Sequence, residues 1–176
     1  EIEIEGGAII PLPFLNFAYK NFGISAIHRS YSKFDIPKDI LNMMLFGNQS
    51  NQKLFLQFGG ETISSNEIGF TYAHSFTIGS QPLQVGATIK YLQGLFYLSM
   101  EDIQGGGSYF QTDSLSFSGS GKYLTKQAFG GGGSAIDIGV LLPELLSGWN
   151  LGVSLINLGG NIKWGSDNFT RSMLSG

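Results

Sequence analysis

The sequence predicts an all-β protein, an antiparallel up-and-down transmembrane β-barrel with one short helix in a loop. Three observations lead there. Only 13% of the 176 residues are charged, against roughly a quarter in ordinary soluble domains. Glycine supplies 26 residues, about twice its usual share. Long stretches alternate with period two between bulky apolar side chains and small polar ones, as successive strand residues point to opposite faces.

Hydrophobic residues at 42% and aromatics at 13% exclude a disordered polar chain. Ten Lys+Arg against thirteen Asp+Glu leave no basic stripe, so nucleic acid is not an expected partner. The absence of cysteine excludes a disulfide scaffold and thiolate metal sites. No segment offers ~18 consecutive apolar residues, so a membrane protein of this composition crosses with strands. The opening EIEIEGGAIIPLP lacks a basic, then apolar leader. Either a signal peptide has been removed or the numbering begins inside a longer protein.

The first clear element is KFDIPKDILNMMLFGN, residues 33 to 48, which reads as the helix. Asp35 is a plausible cap, Pro37 suits the first turn, Ile40, Leu41, Met44 and Leu45 form one apolar stripe, and Gly47 ends it. It is read as a rim helix, a partial plug or a packed loop. In EIGFTYAHSFTI (67 to 78), Ile68, Phe70, Tyr72, His74, Phe76 and Ile78 oppose Gly69, Thr71, Ala73, Ser75 and Thr77. LQVGATIKYL (83 to 92) repeats the pattern, with Ile89 and Tyr91 opposing Thr88 and Lys90. The intervening GSQP is turn chemistry, so the two form a hairpin.

Between Tyr91 and Ala135 lies a long excursion whose middle, YFQTDSLSFSGSGKYL, still alternates. It reads as strands continuing beyond the membrane into a mobile outer hairpin. Ile136, Ile138, Val140 and Leu142 then oppose Ala135, Asp137 and Gly139; after the connection LLPELLSG, Trp149, Leu151, Val153 and Leu155 oppose Asn150, Gly152 and Ser154. A soluble sandwich alternates too, but its outward face carries charge. Here that face is Gly, Ala, Ser, Thr and Asn, which suits a narrow wet or plugged lumen, with the apolar face toward lipid. Short turns on one side and long connections on the other fit periplasmic and extracellular ends.

Catalytic motifs fail on context. GSGKY at 119 to 123 lacks the first glycine of a phosphate loop, because Ser116 stands there, and Tyr123 replaces its Ser/Thr. GGGGSA at 130 to 135 contains GxGxxA, but period-two alternation follows rather than a helix, so glycine here serves close strand approach and bending. His28 and His74 stand without triad or metal partners at motif spacing. Adjacent Glu101 and Asp102 face opposite ways, a poor arrangement for paired carboxylates. The sequons at Asn48 and Asn168 matter only in a glycosylating compartment. No enzyme activity, cofactor or metal is expected.

The informative polar residues are Lys90, Asp137 and Lys163, each assigned to the small-residue face, where an unpaired charge is costly. Either Asp137 pairs with Lys90 or Lys163, or all three touch lumen water. Tyr91, Phe96, Tyr97, Trp149 and Trp164 are candidates for interfacial girdles, with ligand stacking disfavoured for want of a convergent polar partner.

The stretches TYAHSFTIGSQPLQVGATIKYLQG and GSAIDIGVLLPELLSGWNLGVSLINLGGNIKW, residues 71 to 94 and 133 to 164, resemble an outer-membrane barrel superfamily. It includes long-chain fatty-acid transporters, accessory barrels of type IX secretion and many uncharacterised barrels. The resemblance implies about fourteen strands, so residues 1 to 176 read as a single barrel domain that is part of a longer chain. The ending NFTRSMLSG, without a terminal aromatic strand, fits that reading. A closed barrel of about eight strands is the alternative.

The expected localisation is the bacterial outer membrane, with membrane lipid as partner. The expected function is non-enzymatic: the resemblance implies transport or binding of a hydrophobic small molecule. The alternative is a surface or secretion-assembly barrel binding a protein partner through residues 31 to 52 or 93 to 132, and a further one is a soluble β-sandwich adhesin.

Overall fold

A computed structural model describes residues 2–47, 51–103, 107–112, 116–146, 148–165 and 169–175. The fold is mostly antiparallel β, a curled half-barrel sheet with one short helix. The strands are β1 (Ile2–Pro11), β2 (Phe17–Tyr19), β3 (Phe22–Ile36), β4 (Lys53–Phe55), β5 (Gly59–Ile78), β6 (Gln81–Asp102), β7 (Tyr109–Thr112), β8 (Phe117–Ser120), β9 (Lys122–Leu146), β10 (Trp149–Trp164) and β11 (Phe169–Ser175). Helix α1 spans Lys38–Phe46.

The main, eight-stranded sheet runs β1-β3-β5-β6-β9-β10, with β2 beside β3 and β11 beside β9. Every pairing in it is antiparallel. The tight turns all fall at one end: Tyr19 meets Phe22, Ile78 meets Gln81, and Leu146 meets Trp149. Gly79 and Lys20 supply the positive φ, 65° and 52°, that two-residue hairpin turns require. LLPELLSG is not all turn, since β9 continues to Leu146 and bends at Glu144, φ 53°. There the Asn150 carboxamide oxygen accepts from the Glu144 N–H.

The opposite end carries α1 and a second, three-stranded sheet, β4-β7-β8. The excursion between Tyr91 and Ala135 is thus a pair of strands continued to Asp102 and from Lys122, with β7 and β8 hairpinned between them. The helix is shorter than 33 to 48. Asp35 is no cap: it belongs to β3, paired with Gly59, because the sheet ladder extends to that level. Pro37 occupies the capping position without a side-chain bond, and Gly47, φ 78°, ends the helix. The sequons at Asn48 and Asn168 lie outside the described residues.

Asp39 supplies the anchor of α1, its Oδ2 accepting from the Phe55 N–H at 2.8 Å. Asp39→Ala is expected to loosen α1 from β4 by about 1 kcal/mol, the usual value of such a bond. Faster amide exchange confined to residues 38–55 would check this; unchanged exchange there would count against it.

Alternation gives the sheet two unlike faces. Ile24, Phe70, Ile89, Ile136 and Leu158 form one cross-strand row on the convex face. Among the described residues no second layer covers it: Ile89 and Val153 are each 66% exposed. The concave face is small or charged, with Ser65, Glu67, Lys90, Ala128 and Ala135 all buried within the curl. At β9 the curl lets side chains of β6 and β10 meet across it.

Candidate functional site

Four charged groups of the concave face, with Asn157, form one connected chain across β3, β5, β6, β9 and β10. Arg29 Nε lies 2.6 Å from Glu67 Oε1, and Glu67 Oε2 lies 3.3 Å from Lys90 Nζ. Lys90 Nζ continues to Asp137 Oδ2 at 2.7 Å and donates to Asn157 Oδ1 at 2.9 Å. An ammonium has three N–H donors and no acceptor; here Glu67, Asp137 and Asn157 engage all three. Glu67 is only 4% exposed and Lys90 8%, where a charge without a partner would cost several kcal/mol. The chain balances two cations against two anions.

Its geometry depends on a break in β10. Asn157 and Gly159 adopt positive φ, 59° and 63°, and the register with β9 shifts between Leu155 and Leu158 and again before Asn161. Such bulges insert residues and turn side chains to the other face. Asp137 holds the first one, its Oδ1 accepting the Asn157 N–H at 2.8 Å. One carboxylate therefore neutralises Lys90 and fixes the backbone that presents Asn157 to it.

Bulges recur at this height. Leu95 has no partner in β5, because Ser64 faces Phe96 while Ser65 faces Gly94, and Gly130 in β9 has φ 67°. Beyond them, Tyr97 and Trp164 lie on the concave face, ring centroids 5.7 Å apart. The glycines make their seat. A Cβ on Gly94 would stand 2.7 Å from the Trp164 indole and 2.8 Å from Ile162, and one on Gly131 would meet the same two side chains. The resulting pocket, about 530 Å³, is lined by both rings, Ile63, Leu92, Ile162, Ser65, Glu61, Lys126 and Asn157.

The structure thus brings Lys90 and Asp137 together and separates Lys163 from them. Lys163 stands opposite Gly132, on the convex side where a Gly132 Cβ would face Tyr91; it shares the parity of Leu155, and the two one-residue shifts of β10 between them cancel, so its assignment to the small-residue face is corrected. Of the aromatic candidates, Tyr91 is convex and 54% exposed, and Phe96 packs on Phe129 at 5.3 Å. Tyr97 and Trp164 are concave, while Trp149 stands at the tight-turn end, 73% exposed. In α1, Ile40 and Leu41 are half-buried, whereas Met44 and Leu45 are each 75% exposed.

Arg29, Glu67 and Asn157 are site residues that sequence reasoning did not single out. Glu67 carried a signal, since it shares a parity with Gly69 and Thr71. Asn157 carried another in the run Asn-Leu-Gly-Gly, which suits positive φ. Arg29 carried none.

Several other polar residues have local partners. His28 Nδ1 lies 3.0 Å from Asn66 Oδ1, and His74 packs between Tyr72 and Phe76. Lys126 Nζ lies 3.1 Å from Glu101, and Asp102 accepts from Ser108 at 3.0 Å. At the long-connection end, the hydrogen bond from Lys33 holds the Glu3 carboxyl below its ordinary range and raises the Lys33 ammonium. Burial raises the Tyr123 phenol, whose hydroxyl donates to the Leu56 carbonyl. Among the described residues no group of His, Asp and Glu is arranged to hold a metal ion.

No curated protein and no solved structure matches the chain. The model of the Family of unknown function (DUF5723) matches residues 10–176, and the chain belongs to that family.

Proposed function

We propose that this chain forms part of the wall of a bacterial outer-membrane β-barrel and that its role is non-enzymatic, holding or passing a small molecule along the inner face. The supporting observation is a sharp change along the convex surface. From the tight turns upward, row after row is apolar: His74 with Val85, Val140 and Val153; Tyr72 with Ala87, Ile138 and Leu155; Phe70 with Ile89, Ile136 and Leu158.

The apolar rows give way first at Ser134 and Asn161, beside Ile68 and Tyr91, and end at His28, Asn66, Gln93, Gly132 and Lys163, which lie side by side in register. Asn66 bonds both His28, at 3.0 Å, and Gln93, at 3.2 Å. From Ile68 to Ile78 is about 11 residues, the span a tilted strand needs to cross the ~30 Å hydrocarbon layer. Tyr91, just below the polar row, is placed for the headgroup boundary.

β6, with 22 residues, extends to roughly 70 Å at ~3.3 Å per residue. It therefore rises well beyond the bilayer, carrying α1 and the small sheet at the long-connection, extracellular end. In lipid every strand must be paired on both sides. Among the described residues β1 pairs only with β3, and β10 only with β9. That favours a wall completed by further strands, consistent with the fourteen that the resemblance implies, over closure at eight. A sandwich adhesin would need a second sheet over the convex rows.

The test uses the chain's lack of cysteine. Single cysteines at Phe70, Ile138 and Val153, carrying a fluorophore in lipid vesicles, are expected to be quenched by brominated acyl chains. Thr71 and Ser154, on the concave face, are expected to be spared. Phe70→Arg should cost about 2–4 kcal/mol on the lipid face, and Thr71→Arg much less. Equal quenching on both faces would end the proposal.

A second reading, assembly with a protein partner, is favoured by one observation. Met44, Leu45 and Phe46 of α1 and Phe117 of β8 are 75–77% exposed at the extracellular end. Loss of co-purifying protein on replacing Met44, Leu45 and Phe46 with serine would support it.

A further inference from the structure

We infer that the pocket between Tyr97, Trp164 and Asn157 is a binding site for a neutral polyhydroxylated ring, a sugar. This goes beyond the barrel reading, which does not specify a ligand, and it differs from the long-chain acid that the resemblance suggests.

The rings come first. Trp164 rests on two glycines, Gly94 and Gly131, which leave no side chain beneath it. Tyr97 tilts against it by 33°, and Ile63, Leu92 and Ile162 complete an apolar floor in a cavity of about 530 Å³. This volume fits a ligand of one or a few rings. The faces of a pyranose are C–H surfaces that pack on such aromatic platforms, while its edges carry hydroxyls.

The polar groups then select among ligands. Asn157 lines the pocket and commits its carboxamide oxygen to Lys90, so its NH2 remains as a donor. Glu61 lines the same cavity and makes no ion pair among the described residues. A carboxylate only accepts hydrogen bonds, so it favours hydroxyl donors.

The cations are committed elsewhere. Lys126 lies 3.1 Å from Glu101, Lys90 is saturated, and Arg29 is held by Glu67 at 2.6 Å. An anionic amphiphile entering here would meet Glu61, and Lys126, the lining cation, is already offset by Glu101. A neutral ring with hydroxyl edges meets an acceptor, an amide donor and two aromatic surfaces. Tyr97 and Trp164 thus acquire the convergent polar partners without which aromatic stacking argues for nothing.

The test is a titration in detergent, so it does not depend on where the protein resides. The chain has two tryptophans, and Trp149→Phe leaves Trp164 as the sole indole. Maltohexaose, chitotetraose and oleate are added in turn. At least one of the two oligosaccharides is expected to change Trp164 emission saturably, and oleate is not.

Tyr97→Ala should weaken that binding about tenfold, the loss of one aromatic contact, and Glu61→Gln several-fold, both read by calorimetry. Tyr97→Phe keeps the platform and should bind nearly as the parent does, which separates lost stacking from a damaged fold. Saturable binding of oleate alone, no response to either oligosaccharide, or sugar binding indifferent to both Tyr97→Ala and Glu61→Gln would each overturn the assignment.

Discussion

Lys90→Met is expected to destabilise the folded protein by about 3–5 kcal/mol, the cost of removing one partner from a buried ion pair. The side chain is nearly isosteric, so the loss isolates charge from packing. Glu67 would keep Arg29 at 2.6 Å. Asp137 would keep only the Asn157 N–H at 2.8 Å, and the Asn157 carboxamide oxygen would lose its donor. Three acceptors, Glu67 Oε2, Asp137 Oδ2 and Asn157 Oδ1, would then face a methyl group inside the curl.

The readout is the guanidinium midpoint of the detergent-folded protein, followed by its heat-modifiable gel mobility. A control follows from the same reasoning. Replacing an entire buried ion network by neutral residues of similar volume is often nearly neutral. The quadruple variant Arg29→Met, Glu67→Gln, Lys90→Met, Asp137→Asn should therefore recover much of the loss. A Lys90→Met midpoint equal to that of the parent would mean that water, rather than the network, solvates these carboxylates.

How much of this arrangement could be read from the chain is decided by the bulges. Period-two alternation is a local rule, and it holds wherever the ladder is unbroken. From Ile68 to Ile78 and from Lys90 back to Leu83 the two faces follow directly from sequence, which is why Lys90 and Asp137 fall on one face and meet at 2.7 Å. One extra residue in a strand moves everything beyond it to the other face. Leu95, Gly130, Asn157 and Gly159 each mark such a place. Tyr97 lies past one such place in β6, and Lys163 and Trp164 lie past two in β10 that cancel.

Glycine shows that a break is affordable, but not its parity, so Tyr97 could not be assigned from alternation alone, whereas Lys163 keeps the parity of Leu155 and Trp164 that of Ser154. Asp35 was hidden for a different reason. As a capping residue it suits a helix start, but the ladder with Gly59 runs further than the local pattern shows. The partnership of Arg29 with Glu67 depends on a pairing between β3 and β5 that spans α1 and β4, which no short window contains.

Gly133→Ala is expected to cost about 3 kcal/mol, at the upper end of what overpacking usually costs, although it adds a single methyl. A Cβ there would overlap the Asn161 carbonyl oxygen and press on Asn161 C at 2.8 Å and Ile162 Cα at 3.1 Å. These are backbone atoms, so no rotamer change relieves the contact. β10 would have to withdraw, and it cannot do so freely, because its bulge is tied to β9 by the Asp137 bond to Asn157 N and to β6 by Lys90.

The strain should therefore travel: Ile162 and Trp164 would lift from Gly94 and Gly131, and Trp164 emission in the Trp149→Phe background should shift to the red as the indole meets water. Gly6→Ala is the control, since nothing lies within 4 Å of the added methyl, and it should leave both midpoint and emission unchanged. Equal midpoints for the two alanine variants would mean that β10 does not pass this close to β9, and the seat proposed for a ligand beside Trp164 would lose its floor with it.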